Sequence, residues 1–376
     1  MRSFTIFRVW SIPIRVNVSL LVFLPLLAWL IGSGGQIELY AGYIERLTGV
    51  ALDTGVLRAG TTPWLVGTLA AVGLFASVTL HELGHSWVAL RYGLTIESIT
   101  LWILGGMASL SEIPREWDRE FWIAIAGPVT SVLVAAGCYA VLLVTPESLP
   151  IVRFVVGYLA IVNVILVVFN LLPAFPMDGG RILRALLARN RPYASATRIA
   201  GRVGVLFAIL FAVVGVLAFN PILLLLALFV YGAATTESRT VVIDDLLEGL
   251  VVGDVMTEAT ATVDADETVA GLVDRMIRER RTAFPVTDGG ETVGLVRLAD
   301  LRGVDATDRD ATPVSAVVHD VPRIDAEADA FDTLALLGTQ GSALVVRDGA
   351  VVGTLSQEDY SHVLSFTREF GKGLPA

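Results

Sequence analysis

Six apolar runs dominate the first 237 residues of the chain: roughly Val18–Gly32, Trp64–Leu90, Phe121–Val144, Val152–Leu172, Val203–Phe219 and Ile222–Ala234. About 20 apolar residues in helical form span the hydrocarbon of a bilayer. The spacing therefore predicts six transmembrane helices, the first and last of them short. The fifth and sixth are parted only by Asn220-Pro221 and read as a tight helical hairpin. Ile96–Leu110 has a different rhythm: β-branched and aromatic residues run to Trp102, Gly105-Gly106 interrupts, and Met-Ala-Ser-Leu follows. That pattern predicts a β hairpin at the membrane face.

After a linker at 238–250 the pattern changes to short strands and amphipathic helices, in two units of about 55 residues with one grammar. The first runs Thr262-Val263, a helix Thr268–Arg280, a strand Ala283–Thr287, then Gly294-Leu295-Val296 and Asp300. The second runs Arg323-Ile324, a helix near Ala330–Gly338, a strand Ala343–Arg347, then Gly353-Thr354-Leu355-Ser356 and Asp359. The expected fold class is mainly α. A polytopic six-helix transmembrane domain with a small membrane-associated β hairpin (1–237) precedes a soluble, pseudo-symmetric α+β module (251–308 and 309–366) and a tail (367–376).

Charge sharpens that division. Only 17% of the 376 residues are charged, against roughly a quarter in soluble proteins. Residues 1–240 carry 16 Arg and 12 Asp+Glu, a balance of +4; residues 241–376 carry 11 Lys+Arg and 25 Asp+Glu, a balance of −14. The acidity of the second half argues against a nucleic-acid partner. Cys138 is the only cysteine, so no intramolecular disulfide is available.

Arg2, Arg8 and Arg15 precede the first run without an early acid or a small-residue cleavage site, which argues against a cleavable signal and for a cytoplasmic N-terminus. Six crossings return the C-terminus to the cytoplasm. The loop after the fourth carries Arg181, Arg184, Arg189, Arg191 and Arg198 and falls inside, as positive charge should. The expected location is the cell membrane, multi-pass, with both termini cytoplasmic.

Chemistry concentrates at His81-Glu82-Leu83-Gly84-His85. Helical positions i and i+4 share a face, so both imidazoles can meet one metal ion, with the glutamate beside them as a base for water. Two structural histidines with a capping glutamate are the plainer account. Ionisable residues inside a transmembrane helix are costly, however, and mark function by default. A catalytic zinc has three protein ligands and an open position. Asp178 stands out as the third, in Asn170-Leu-Leu-Pro173-Ala-Phe-Pro176-Met-Asp178-Gly179-Gly180-Arg181. The prolines end the fourth helix, and the glycine pair is expected to let the backbone turn. Its plainer role is that of an interfacial aspartate capping the next helix. Asn163 and Asn170, seven apart on one helical face, either bond neighbouring helices or, for Asn170, stabilise an oxyanion.

His-Glu-Leu-Gly-His, Gly105-Gly106-Met-Ala-Ser-Leu, Ile125-Ala126-Gly127-Pro128 and the Asn170–Arg181 segment together resemble the site-2 protease family across residues 10–236. The resemblance implies one zinc per chain held by His81, His85 and Asp178, with Glu82 as catalytic base. It also implies that the hairpin at Gly105 and Gly106 offers a sheet edge to unwound transmembrane substrates. Regulated intramembrane proteolysis of other membrane proteins is the expected activity.

The repeated module resembles a tandem pair of CBS domains over about 250–366. That resemblance implies a homodimer through the pair and an adenine nucleotide (AMP or ATP) as regulatory ligand, with a hydroxyl on phosphate and an Asp on ribose. Gly353-Thr-Leu-Ser356-Gln-Glu-Asp359 fits; in Gly294-Leu-Val-Arg297-Leu-Ala-Asp300 an arginine replaces the hydroxyl residue. A purely structural dimerisation module is the bland alternative. His319 and His362 lack ligand spacing and read as surface residues. Two rivals to the protease remain, a transporter or channel gated by its CBS pair and a metal-binding but inactive relative. Metal content and ion flux in vesicles separate the first from a protease; an intact Glu82 counts against the second.

Overall fold

The computed structural model describes residues 3–103, 105–110, 114–259 and 261–370, and the chain divides after Ser238 into two units. The first opens with an antiparallel hairpin, β1 (Ser3–Val9) and β2 (Ile12–Asn17), that the hydropathy pattern does not announce. Its turn residues, Trp10 and Ser11, both adopt positive φ without the Asn-Gly or Asp-Gly that marks such turns. β2 then pairs in parallel with β3 (Ile96–Trp102), Ile14 opposite Ile99, and β3 pairs with the expected β4 (Gly105–Leu110). The order is β1-β2-β3-β4. Ile12, Ile14, Val16, Ile99 and Leu101 form one apolar face of the sheet and pack on Phe75 and Val78, so the hairpin expected from the sequence is half of a larger sheet.

The helices of this unit are α1 (Val18–Ile31), α2 (Gly34–Thr48), α3 (Thr54–Arg58), α4 (Thr62–Arg91), α5 (Trp117–Val144), α6 (Pro150–Asn170), α7 (Asp178–Ala188), α8 (Tyr193–Leu217) and α9 (Pro221–Leu247). Five of them, α4, α5, α6, α8 and α9, are long and apolar enough to cross a membrane. The 14 residues of α1 reach only about 21 Å at 1.5 Å per residue. The first expected span is met only if α1 and α2, bent by 68°, count as one. A core of Ile37, Ile44, Leu57, Val66, Ala70, Phe154 and Tyr158 joins α2, α3, α4 and α6. The cross-helix bond expected of Asn163 is present: its Nδ2 donates to Ser77 Oγ on α4 at 3.0 Å.

α9 is unbroken to Leu247, so most of the segment read as a linker is helical. The second unit continues with α10 (Val252–Val255), β5 (Thr257–Glu258), β6 (Val263–Asp264), α11 (Val269–Glu279), β7 (Ala283–Asp288), β8 (Glu291–Arg297), β9 (Arg323–Asp325), α12 (Ala330–Gln340), β10 (Ser342–Arg347), β11 (Ala350–Ser356) and α13 (Gln357–Phe370). The repeat is visible as two sheets, β6-β7-β8 and β5-β11-β10-β9. β5 leaves the first copy to pair with β11 of the second, Thr257 opposite Thr354. Val252 and Val255 likewise join the core of the second copy, with Leu247, Val345, Leu355 and Tyr360.

Candidate metal centre

Two helices converge at His81, His85 and Asp178. The histidines lie one turn apart on α4, and Asp178 is the first residue of α7. His81 Nε2 is 3.1 Å from Asp178 Oδ2, His85 Nε2 is 3.3 Å from the same oxygen, and the two Nε2 atoms are 3.2 Å apart. All three residues are buried.

The outer ring nitrogens explain the orientation. His85 Nδ1 lies 2.7 Å from the Ile123 carbonyl, which can only accept, and His81 Nδ1 lies 2.9 Å from Ser131 Oγ. With the proton on each Nδ1, both Nε2 atoms turn lone pairs inward. Two imine nitrogens and a carboxylate oxygen then face one another with no proton between them, an arrangement that suits a cation. Tetrahedral ligands 2.0–2.1 Å from an ion stand about 3.3–3.4 Å apart, close to the observed separations. The donor set therefore fits a divalent metal of the zinc type, with the outer nitrogens braced as metal-binding imidazoles usually are.

α5 supplies that bracing from one face, through Ile123, Gly127 and Ser131 at four-residue spacing. A Cβ on Gly127 would stand 2.2 Å from His85 Nε2 and 2.7 Å from His81 Nε2, so only glycine lets α5 back the imidazoles. The sequence carries this signal as small residues four apart in an apolar helix, but nothing in it pairs Ser131 with His81. Gly106 does the same for Glu82: a Cβ there would meet Glu82 Cγ at 2.5 Å and Oε1 at 3.0 Å. β4 thus lies against the carboxylate beside the cluster. Gly105 has φ +134° and open space around it, so its role is conformational.

The glycine pair after Asp178 needs a different account from the one its sequence suggests. Gly179 and Gly180 are helical, in the first turn of α7. Side chains there would strike the Leu171 and Leu172 carbonyls at 2.4 and 2.3 Å and the Phe175 nitrogen at 2.7 Å. They give proximity to the preceding loop, not a turn. Asn170 ends α6 half-buried, and no hydrogen bond joins its side chain to the cluster among the described residues.

Arg184, expected among the solvated charges of a cytoplasmic loop, is 2% exposed. Its Nε donates to Glu120 Oε1 on α5 at 2.7 Å and its NH1 to Glu237 Oε1 on α9 at 2.7 Å. Sequence does not distinguish it from Arg181, three residues earlier and exposed.

In the second unit a cleft of about 640 Å³ is lined by Arg280, Arg297, Arg302, Ser356 and Asp359 among others. Of the expected nucleotide residues, the structure brings Ser356 and Asp359 to this cleft and leaves Asp300 out of its lining. Arg297, the departure from the hydroxyl pattern, grips Asp300 at 3.0 Å through both Nε and NH2, and its backbone N–H donates at 2.9 Å. Burial alone would raise the Asp300 carboxyl; those hydrogen bonds, with the charges of Arg297 and His319, outweigh it and hold it below the ordinary carboxylate value. Asp359 accepts from Thr257 Oγ1 at 2.6 Å and from Ser356 N and Oγ at 2.7 Å.

A largely helical unit that converges two imidazoles and a carboxylate beside a glutamate outside the ligand set defines a membrane-apolar metal-dependent hydrolase. The comparisons with known proteins agree. Peptidase family M50 matches residues 69–211 and the CBS domain residues 252–306. The chain is 35% identical over 297 residues to the zinc metalloprotease MJ0392 of Methanocaldococcus jannaschii, covering 78% of this chain and 84% of that one. It is 34% identical over 323 residues to the putative zinc metalloprotease Rip3 of Mycobacterium tuberculosis, covering 81% and 82%. The solved site-2 protease of Methanocaldococcus jannaschii, 34% identical, superposes with a TM-score of 0.44 over 63% of this chain and 96% of its own. The chain belongs to peptidase family M50 and is a metalloendopeptidase of the site-2 protease type that carries a CBS module.

Proposed function

We propose that the protein is a zinc-dependent intramembrane endopeptidase, multi-pass with both termini cytoplasmic, that hydrolyses peptide bonds in transmembrane segments of other proteins. The observation that carries the reading is the convergence of His81 Nε2, His85 Nε2 and Asp178 Oδ2 within 3.3 Å of one another inside an apolar helical unit. These three residues would hold the ion. Bound zinc supplies Lewis acidity that polarises a carbonyl and acidifies water near neutral pH. Ser131 and the Ile123 carbonyl keep both imidazoles in the ligating tautomer. Glu82, outside the ligand set, takes the proton of the attacking water on its carboxylate and delivers it to the leaving amine.

The sheet supports the same reading. β4 is the last strand in its order, and its Gly106 lies against Glu82. A helical substrate hides its peptide bonds in its own hydrogen bonds; added to this edge as an extended strand, it would present one beside the base. Asn170, at the end of α6, is the proposed oxyanion donor. In the second unit, Ser356 and Asp359 are the proposed contacts for an adenine nucleotide that alters access to the membrane site.

Changing Glu82 to Gln removes the base and keeps the ligands. Purified Glu82→Gln protein is expected to retain one zinc per chain and lose cleavage of a transmembrane substrate by about a hundredfold or more. Undiminished cleavage refutes the assignment.

A further inference from the structure

Asp178 is the first residue of α7, so the orientation of that helix sets where its carboxylate lies, and the hold on the helix combines apolar packing with a cluster of charges. The fully buried residues of α7 are Asp178, Gly179, Gly180, Arg184 and Ala185, so Arg184 is the one large side chain of the helix that is fully enclosed, beside a partly buried Leu183 that packs on Phe175, Ala200 and Ala234. The Arg184 guanidinium is enclosed on four sides. Glu120 of α5 takes Nε at 2.7 Å and NH2 at 2.6 Å on the same oxygen; Glu237 of α9 takes NH1 at 2.7 Å. The Phe175 ring, in the loop that delivers Asp178, lies 5.0 Å from it, and the Tyr193 ring of α8 lies 4.9 Å away.

Ion pairs this deep are poor sources of net stability, because desolvation offsets their attraction; where they persist they can specify one geometry among several. Here the geometry specified is that of a short helix with a proposed metal ligand at one end and an arginine six residues on. Two carboxylates on one arginine also fix direction, since Glu120 and Glu237 approach from different helices.

We propose that Glu120, Arg184 and Glu237 are positioning residues for Asp178, and that Glu237 makes the placement of α9 a determinant of metal affinity. The inference rests on the reading of Asp178 as a zinc ligand. It assigns α9 a part in the centre although α9 contributes no ligand, and it gives a three-charge cluster around the buried Arg184 a task beyond packing.

The test measures zinc affinity of the full-length protein in detergent, by competition with a chromophoric chelator, beside its thermal unfolding. Glu237→Gln and Arg184→Lys are expected to weaken zinc binding about tenfold or more, the usual scale for groups that orient ligands. Phe154→Leu, in the core on α2, α3, α4 and α6, is expected to lower the unfolding temperature at least as far while leaving zinc affinity unchanged. Wild-type affinity in both charge variants, or an equal loss in Phe154→Leu, overturns the proposal. If Arg184→Lys does not fold, Glu237→Gln decides alone, because its side chain is one-third exposed and Gln keeps its shape. Wild-type protein that binds no zinc overturns the metal reading and the inference with it. Wild-type zinc with unaltered variants overturns the inference only.

Discussion

The two candidate sites of this chain are built in opposite ways. In the membrane-apolar unit, two imidazole nitrogens and a carboxylate oxygen meet with no room to spare, because glycines let backbones stand where side chains would collide. In the acidic unit, a cleft of about 640 Å³ is lined by arginines with Ser356 and Asp359 among others, and the carboxylates of Asp359 and of nearby Asp300 already accept hydrogen bonds from their own chain. The first site is preorganised for a small, hard-to-misplace ligand; the second has space for a large one. Preorganisation by close backbone approach leaves a stronger trace in sequence than a cleft does, because it demands particular residues at fixed spacing.

The contrast breaks most sharply at α5. Gly127→Ala places a methyl carbon on His85 Nε2, whereas Gly137 of the same helix faces open space with nothing within 4 Å of its Cβ. Zinc affinity is expected to fall about tenfold or more in the first variant and to stay at the wild-type value in Gly137→Ala, as measured by chelator competition. Equal behaviour of the two would mean that close approach does not build the site.

The cleft offers a smaller effect. Asp359→Asn is expected to weaken AMP or ATP binding about tenfold by calorimetry, the scale of one hydrogen bond to a charged group. Asp300→Asn, whose carboxylate is occupied by Arg297, should change it less than twofold. The reverse order would restore the first copy as the ligand site.

The smallest effect concerns the Arg297–Asp300 pair itself. The Asp300 carboxyl is held below its unfolded value, so its stabilisation is complete above about pH 4 and is lost as pH falls through the folded value. Asp300→Asn should therefore cost about 1 kcal/mol at neutral pH. The gap from wild type, read by thermal unfolding of the second unit within the full chain, should narrow steadily below pH 4. A gap that widens in acid would reverse the sign.

Much of the membrane site is legible in the amino-acid sequence alone. His81, Glu82 and His85 are contiguous, and Asp178 is flanked by prolines and glycines that have no ordinary business in a helix. Ser131, Glu120 and Arg184 are not legible, because their partners lie 50, 64 and 53 residues away and a lone serine or arginine carries no periodic signal. The long helices are readable from hydropathy. The sheet is readable only in its local half: β3 and β4 are neighbours in sequence and β4 opens on the glycine pair, whereas β1 and β2 turn on Trp10-Ser11, and β2 finds β3 across four helices. In the second unit the repeat gives the elements but conceals the exchange of β5, since pairing with a distant copy leaves a two-residue strand no pattern of its own.

That distant pairing has a consequence for how the molecule is made. Ile14 leaves the ribosome long before Ile99, and between them α1 to α4 must be synthesised and seated. Until β3 appears, β2 has neither its parallel neighbour nor the finished apolar face it lies in, and pairings between such remote segments form slowly. The earliest-born strands thus wait for residues 96–110, on the far side of the helix that carries both histidines, before the sheet beside Glu82 can be completed.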